Sequence, residues 1–462
     1  MKESNGLVII FEIGGKSMSE QNETSIEKRT IKKVTRRIVP FIFILYIVSY
    51  LDRANIGYAA LDMNVELGIT SEVFGFISGI FFIGYFLFEV PSNILLQRYG
   101  SRVWITRILI TWGAVSVATA FAQDAFHLYI IRFLLGVAEA GFFPGIILYL
   151  NSWFRKKELA TTIAMFMTAI PVSYIIGGPL STWIMDNIGW FGISGWRWMF
   201  ILEGAPAVIL GIITYFYLTN KPEEAKWLSK EEKTWLIEEL RKDRKENVGK
   251  KGIQDKDHKK ALTDKKVWHL AIIYFVYISG SLGVGYWMPQ IIKELSDFLS
   301  NTQIGLISTI PFIVATIAMN YWAVRSDRTG ERKMHSAIPL MIGALALIGA
   351  GLASNPFISM SFITLSLAGM YCFKGPFFAL PSMLLAPSTT VVGIAVINSI
   401  GNLGGFLGPY AIGILKESTG STGAGLIFLS VMLLIGFILV LFIRKDSSQT
   451  KTISKKGMKT TL

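Results

Sequence analysis

The chain has 462 residues, of which 52% are hydrophobic, 13% aromatic and only 17% charged. This is too apolar for a soluble protein of several ordinary domains and points to an integral membrane protein embedded in a lipid bilayer. A net charge of +13 would also suit a nucleic-acid binder, but the placement of the basic residues excludes that reading. They gather at alternate ends of apolar segments: Lys28, Arg29, Lys32, Lys33, Arg36 and Arg37 precede the first, Arg155, Lys156 and Lys157 follow the fourth, and Arg325, Arg328, Arg332 and Lys333 follow the eighth. The loops between carry Asp62, Glu66 and Asp124 instead. Because positive loops stay in the cytoplasm, both termini and the middle loop are expected there, in an inner (cell) membrane.

In chain order, residues 1–33 read as a polar cytoplasmic tail. Its one apolar run, Gly6 to Phe11, is too short for a signal-peptide core or a span. A second methionine, Met18, leaves open whether the first seventeen residues are an upstream start or a plain tail. Gly14-Gly15-Lys16-Ser17 ends like a phosphate loop but lacks the upstream glycine and the preceding strand. About twenty apolar residues cross a bilayer as a helix. Twelve such segments follow, at roughly 38–61, 73–96, 103–122, 127–153, 159–185, 197–218, 268–292, 303–324, 335–353, 357–379, 390–415 and 424–443. An all-α membrane protein is therefore expected, with a six-helix half at 34–220, a charged cytoplasmic linker at 221–266, a second half at 267–444 and a tail at 445–462. In the linker, Ser229 is placed to cap a short amphipathic helix, with Trp227, Trp235 and Leu236 lying against the membrane face or the helix ends.

The first segment contains Asp52 and Arg53. An ionisable side chain at the centre of a membrane helix costs roughly 2.5 to 3.5 kcal/mol and marks a substrate or ion pathway by default. Neighbours on a helix point about 100° apart, so each needs a partner from elsewhere. The fourth segment offers both, because Arg132 and Glu139 lie two turns apart on one face. Two ion pairs that only fix helix packing remain the plainer alternative.

The two halves repeat. Gln97-Arg98-Tyr99-Gly100-Ser101-Arg102 and Asp327-Arg328-Thr329-Gly330-Glu331-Arg332 are offset by 230, as are Gly177-Gly178-Pro179 and Leu407-Gly408-Pro409. One offset at two landmarks indicates a duplicated six-helix unit with its binding site between the halves near the midplane.

These loops resemble the cytoplasmic loop signature of the major facilitator superfamily, and the resemblance covers nearly the whole chain. Tyr50 to Asn55, Glu89 to Asn93, Gly195 to Phe200, Lys374 to Phe377 and Asn398 to Gly405 look like its anion:cation symporter branch. That branch includes permeases for sugar acids, tartrate, phthalate and hydroxyphenylacetate, and the vesicular glutamate transporters. The resemblance implies a twelve-helix transporter working by alternating access. Its gating loops would carry Arg98, Gly100, Arg102, Asp327, Arg328, Gly330 and Arg332. The residues matching Asp52 and Glu139 handle protons in relatives, and the matching arginines, here Arg53 and Arg132, hold substrate. The first loop departs from the signature, with Gln97 in place of Asp and Asn93 in place of Gly, which weakens the ionic latch expected there.

The residue types suit that division of labour. The planar fork of arginine matches a carboxylate. Burial favours a protonated carboxyl while a nearby arginine favours the ionised one, so substrate that occupies the arginine couples anion to proton. Tyr50, Tyr85, Asn398 and Asn402 are candidate polar contacts to substrate, Tyr286 and Trp287 candidate cavity lining, and Lys374 a lone cation of the second half. His127, His258, His269, His335 and Cys372 form no metal-ligand spacing. No hydrolase constellation is present, so neither enzyme nor cofactor is expected. The expected function is proton-coupled import of a small organic carboxylate by a monomer. The alternative is a non-transporting sensor of the same anion.

Overall fold

The computed structural model describes residues 18–248, 260–295 and 298–443. The expectations for residues 1–17, for the linker at 249–259 with His258, and for the C-terminal tail lie outside the described residues.

Among the described residues, twelve helices are long and apolar enough to cross a membrane. They are α1 (Ser25–Glu66), α2 (Ser71–Tyr99), α3 (Ser101–Phe121), α4 (Ala125–Asn151), α5 (Lys156–Asn187), α6 (Gly195–Tyr217), α7 (Lys265–Leu295), α8 (Asn301–Thr329), α9 (Lys333–Leu352), α10 (Pro356–Leu384), α11 (Val392–Thr419) and α12 (Thr422–Leu441). Helices dominate because a chain in lipid must satisfy its backbone polar groups within each segment. Side-chain caps at the helix starts remove orphan N–H groups. Thr70 accepts from Val73 N, Asp124 from His127 N, Asn355 from Phe357 N and Ser421 from Gly423 N. Ser300 and Gln303 form a reciprocal capping box at the start of α8.

Eleven spans match the sequence expectation to within five residues at both ends; α1 is the exception, starting at Ser25 and not near Ile38. At about 1.5 Å per residue its 42 residues run about 63 Å, twice the ~30 Å hydrocarbon core. The surplus first turns project from the bundle, where the linker helix Lys230–Val248 docks on them. Arg29 and Lys33 of α1 reach Glu232 at 3.1 and 2.9 Å, and Arg155 joins Glu27 and Glu239 at 2.8 and 3.1 Å. Ser229 does cap this helix, accepting from Glu232 N while Glu232 accepts from Ser229 N. Trp227 stacks on Trp153 with ring centroids 5.4 Å apart, and Arg155 lies over Trp235. The linker is thus fastened to the first half.

Neighbour relations repeat between the halves. In the first, α1 packs on α5 and α6, α2 on α4, and α3 on α6; in the second, α7 packs on α11 and α12, α8 on α10, and α9 on α12. The halves meet through α2 with α11, α5 with α8, and α1 with α7. α5 and α8 come close at Gly178 and Gly305, where an added Cβ would collide with the opposing backbone.

Among the described residues, the polar contacts that join the halves gather at the end away from the linker. Asp62 accepts from Asn301 at 3.0 Å, Asp186 from the amide and hydroxyl of Thr302 at 2.7 Å, and Glu417 from Ser71 N at 2.9 Å. Tyr58 bonds Ser308 at 2.8 Å. Asp186 also meets the positive end of the α8 helix dipole. The bundle is closed at that end. Toward the linker, the one such contact is Glu89 of α2, which accepts from Asn398 and Ser399 of α11 at 3.4 and 2.8 Å.

Candidate functional site

The charged residues of α1 do separate, as helical geometry requires. Arg53 turns toward α4, where its Nε donates to Glu139 Oε1 at 2.8 Å, and the Ser49 hydroxyl donates to the same oxygen at 2.7 Å. Glu139 is 1% exposed and the Arg53 side chain 15%. Glu139 ends one stretch of α4, which breaks at Ala140 and Gly141 before resuming at Phe142. Gly141 has φ +85°, and a Cβ there would meet Ser92 Oγ.

The second expected pairing is absent. Asp52 does not meet Arg132. It faces the opposite side of α1, where its Oδ1 accepts from Ser116 of α3 at 2.9 Å and from Asn55 at 3.3 Å. The 100° step that frees Arg53 for α4 carries Asp52 away from that helix.

Arg132 is therefore a cation without a carboxylate. It is 1% exposed, and its Nε and Nη2 have no hydrogen-bond partner. Its neighbouring polar group is Tyr286 of α7. The guanidinium carbon lies 5.3 Å from the ring centre of Phe81, and that of Arg53 lies 5.3 Å from the same ring. The two guanidinium groups are thus within twice that distance of each other, sharing one aromatic neighbour. Arg53 lies a further 5.2 Å from each of the Tyr50 and Tyr85 rings. Aromatic faces attract a guanidinium without using its N–H donors, so the forks stay free for a ligand. Beyond the Nε bond to Glu139, Arg53 has no other hydrogen bond among the described residues.

The structure thus gathers Tyr50, Arg53, Tyr85, Arg132 and Glu139 at one place. Asn398 is engaged with Glu89, and Asn402 one turn further is half-buried. Tyr286 is buried beside Arg132, while the Trp287 indole donates to Pro409 O at 3.0 Å and packs with Phe74. Lys374 is half-buried on α10 with no hydrogen bond or ion pair among the described residues. Cys372 is buried and free.

Both signature loops turn on a glycine with positive φ, +84° at Gly100 and +65° at Gly330. They are held differently. In the second loop Asp327 pairs with Arg332 at 2.7 Å, and Arg332 also donates to Ser326 Oγ at 2.9 Å; Arg328 is exposed. In the first, with Gln97 in place of the aspartate, the Arg102 amide donates to Asn220 Oδ1 at 2.8 Å, the Arg102 guanidinium lies over Tyr215, and Arg98 lies over Tyr99.

Sequence reasoning missed Phe81, Ser49, Ser116 and Glu203. Glu203 is signalled by the rule that marks Asp52, an ionisable residue inside an apolar segment; the others carry no signal apart from their neighbours in space.

The sequence pattern of the Major Facilitator Superfamily matches residues 42–405 and, a second time, residues 270–461. A putative tartrate transporter of Agrobacterium vitis is 47% identical over 422 residues, covering 91% of this chain and 93% of its own. A quinolone resistance transporter of Acinetobacter baumannii is 39% identical, covering 93% and 98%. Among solved structures, the xylose transporter XylE from E. coli, in a partially occluded inward-open conformation, superposes with a TM-score of 0.70 at 14% identity, covering 90% of this chain and 99% of that one. The duplicated six-helix halves, the paired signature loops and relatives matched along almost their whole length agree: the chain is a multi-pass membrane transporter of the Major Facilitator Superfamily, not an enzyme.

Proposed function

We propose that this transporter imports a small organic anion bearing carboxylates together with protons, by alternating access. The observation that carries the reading is Arg132, a fully buried guanidinium with Nε and Nη2 unpaired. A buried ion without a paired counter-charge costs several kcal/mol, and a bound carboxylate offsets that cost. Arg53 offers a second fork, held in reserve by Glu139. A carboxylate arriving at Arg53 displaces Glu139, which is then left buried without a counter-charge and takes up a proton. Substrate and proton thereby enter together.

Two guanidinium forks beside the hydroxyls of Tyr50 and Tyr85 fit a hydroxylated dicarboxylate better than a monocarboxylate. The name of the 47% identical relative points the same way and supports the organic-anion reading. A sensing role has no comparable support, since the relatives named above are transporters along nearly their whole length. Residues 34–220 and 267–444 act as the two moving halves of a monomer in an inner membrane, with the basic linker end and both termini in the cytoplasm. Closure at the opposite end makes this the inward-facing state.

The test is uptake of labelled tartrate into proteoliposomes under an imposed pH gradient, acid outside. Accumulation that a protonophore abolishes is expected. Equilibration that ignores the gradient would contradict proton coupling, and no uptake of any carboxylate in a panel would contradict the substrate class.

A further inference from the structure

Behind α1, on the side away from the two arginines, lies a second set of buried acids. Glu203 of α6 is 4% exposed, and its Oε1 accepts from the Ser181 hydroxyl of α5 at 2.7 Å. Its other oxygen, Oε2, has no partner. Asp52 lies close enough for the two carboxyls to act on each other. Asn55, wholly buried, stands between the two: its Nδ2 donates to Asp52 Oδ1 at 3.3 Å, its side chain neighbours Glu203, and its own Oδ1 has no donor. The groups facing Glu203 are Ser181 from α5 and Asn55, Tyr58 and Asp52 from α1, and those facing Asp52 are Ser116 and Trp112 from α3, with Glu139 of α4 also acting on it. None is a cation.

Counting donors against acceptors assigns a hydrogen to this cluster. Asp52 has the Ser116 hydroxyl and the Asn55 amide on Oδ1; its Oδ2 has no partner, and the Trp112 indole N–H, also without one, lies beside Asp52 as the donor nearest to hand. That leaves Glu203 Oε2 and Asn55 Oδ1, buried oxygens of neighbouring side chains, each without a donor. Unsatisfied buried polar atoms cost about 1 to 3 kcal/mol each. One proton on Glu203 turns Oε2 into a donor to Asn55 Oδ1 and satisfies both atoms at once. It also spares the fold two like charges in one dry site.

We infer that Glu203 is a third proton-carrying carboxyl, storing behind α1 the proton that Asp52 receives during the transport cycle. In that step the Glu203 O–H bond breaks and an O–H bond forms on Asp52 Oδ2, so one acid and one carboxylate exchange places and no other reactant is needed. The inference rests on the proton-coupled reading, but its test separates the two.

Glu203→Gln keeps the acceptor for Ser181 and supplies an N–H for Asn55, yet cannot release a proton. Two readouts apply. The infrared spectrum of the detergent-solubilised parent should contain a protonated-carboxyl band that Glu203→Gln lacks. In proteoliposomes the variant should move one proton fewer per substrate than the parent, with counterflow of labelled tartrate unchanged; unchanged counterflow shows that the variant is folded and binds. An identical infrared spectrum, or an unchanged proton-to-substrate ratio, overturns the inference. Should the parent itself show no proton coupling, the transport reading fails, and the infrared band alone decides whether Glu203 holds a proton.

Discussion

The two halves share a packing plan and differ in chemistry. Away from the helix ends the first half holds Asp52, Arg53, Glu89, Arg132, Glu139 and Glu203, whereas among the described residues the second has Lys374 and otherwise polar but uncharged groups such as Asn398 and Asn402. Duplication supplied two copies of a six-helix scaffold with the same neighbour relations. Lys374 apart, the interior charge among the described residues lies in one copy. On the proposed reading the difference is a division of labour, in which the first half binds and titrates while the second supplies walls and a surface to rock against. Glu89, accepting from Asn398 and Ser399, is where the charged half touches the uncharged one near the linker end.

From that division the largest loss is expected at the first half's cation without a carboxylate. Arg132→Lys keeps the charge but not the fork. Losing charge-assisted hydrogen bonds worth roughly 2 kcal/mol weakens tartrate binding about thirtyfold. Calorimetric titration in detergent measures it, and unchanged affinity would move the binding site away from α4.

Next comes the titrating partner. Glu139→Gln retains an acceptor for Arg53 and Ser49 but never ionises. Proteoliposomes should then exchange labelled for unlabelled tartrate at close to the parent rate while failing to accumulate it against a gradient. Full accumulation by this variant would make Glu139 a packing residue.

The second half should respond less. Asn398→Ala removes one hydrogen bond to Glu89, worth about 1 kcal/mol, and should change uptake by about fivefold at most. A loss as large as that from Arg132→Lys would break the contrast between the halves.

The smallest effect is expected at the linker. Burial pushes the Glu232 carboxyl up, but the Ser229 amide and Lys33 outweigh it and hold it below the usual carboxylate range. A depressed acid contributes stability that is complete above its unfolded value, near 4.3, and is lost as pH falls through the lower folded one. Hydrogen exchange of the linker helix should therefore stay slow at neutral pH and quicken only below about pH 4. Glu232→Gln should quicken it modestly at every pH, since Arg29 and Lys33 are about half exposed and such pairs are weak.

Much of this was legible before the structure. Twelve spans follow from apolar runs of bilayer length, and the duplication from two landmarks at one offset. Asp52, Arg53, Arg132 and Glu139 stand out because charge in an apolar run demands a reason. Helical geometry also required that Asp52 and Arg53 diverge. It could not say which neighbour each would find, since that depends on how α3 and α6 pack behind α1. Hence the expected pairing of Asp52 with Arg132 fails, and Ser116 and Asn55 take its place. The long first turns of α1 escaped for a related reason. A polar, charged stretch reads as a tail until the acids of the linker helix that hold it are seen.

The central claim is that an anion binding between the arginines frees Glu139 to take up a proton. Calorimetry of tartrate binding at constant pH, in two buffers of different protonation enthalpy, measures that proton directly. The parent should take up protons as it binds, and Glu139→Gln should bind with that uptake removed. Binding by the parent with no proton exchange, or the same uptake in Glu139→Gln, would contradict the account.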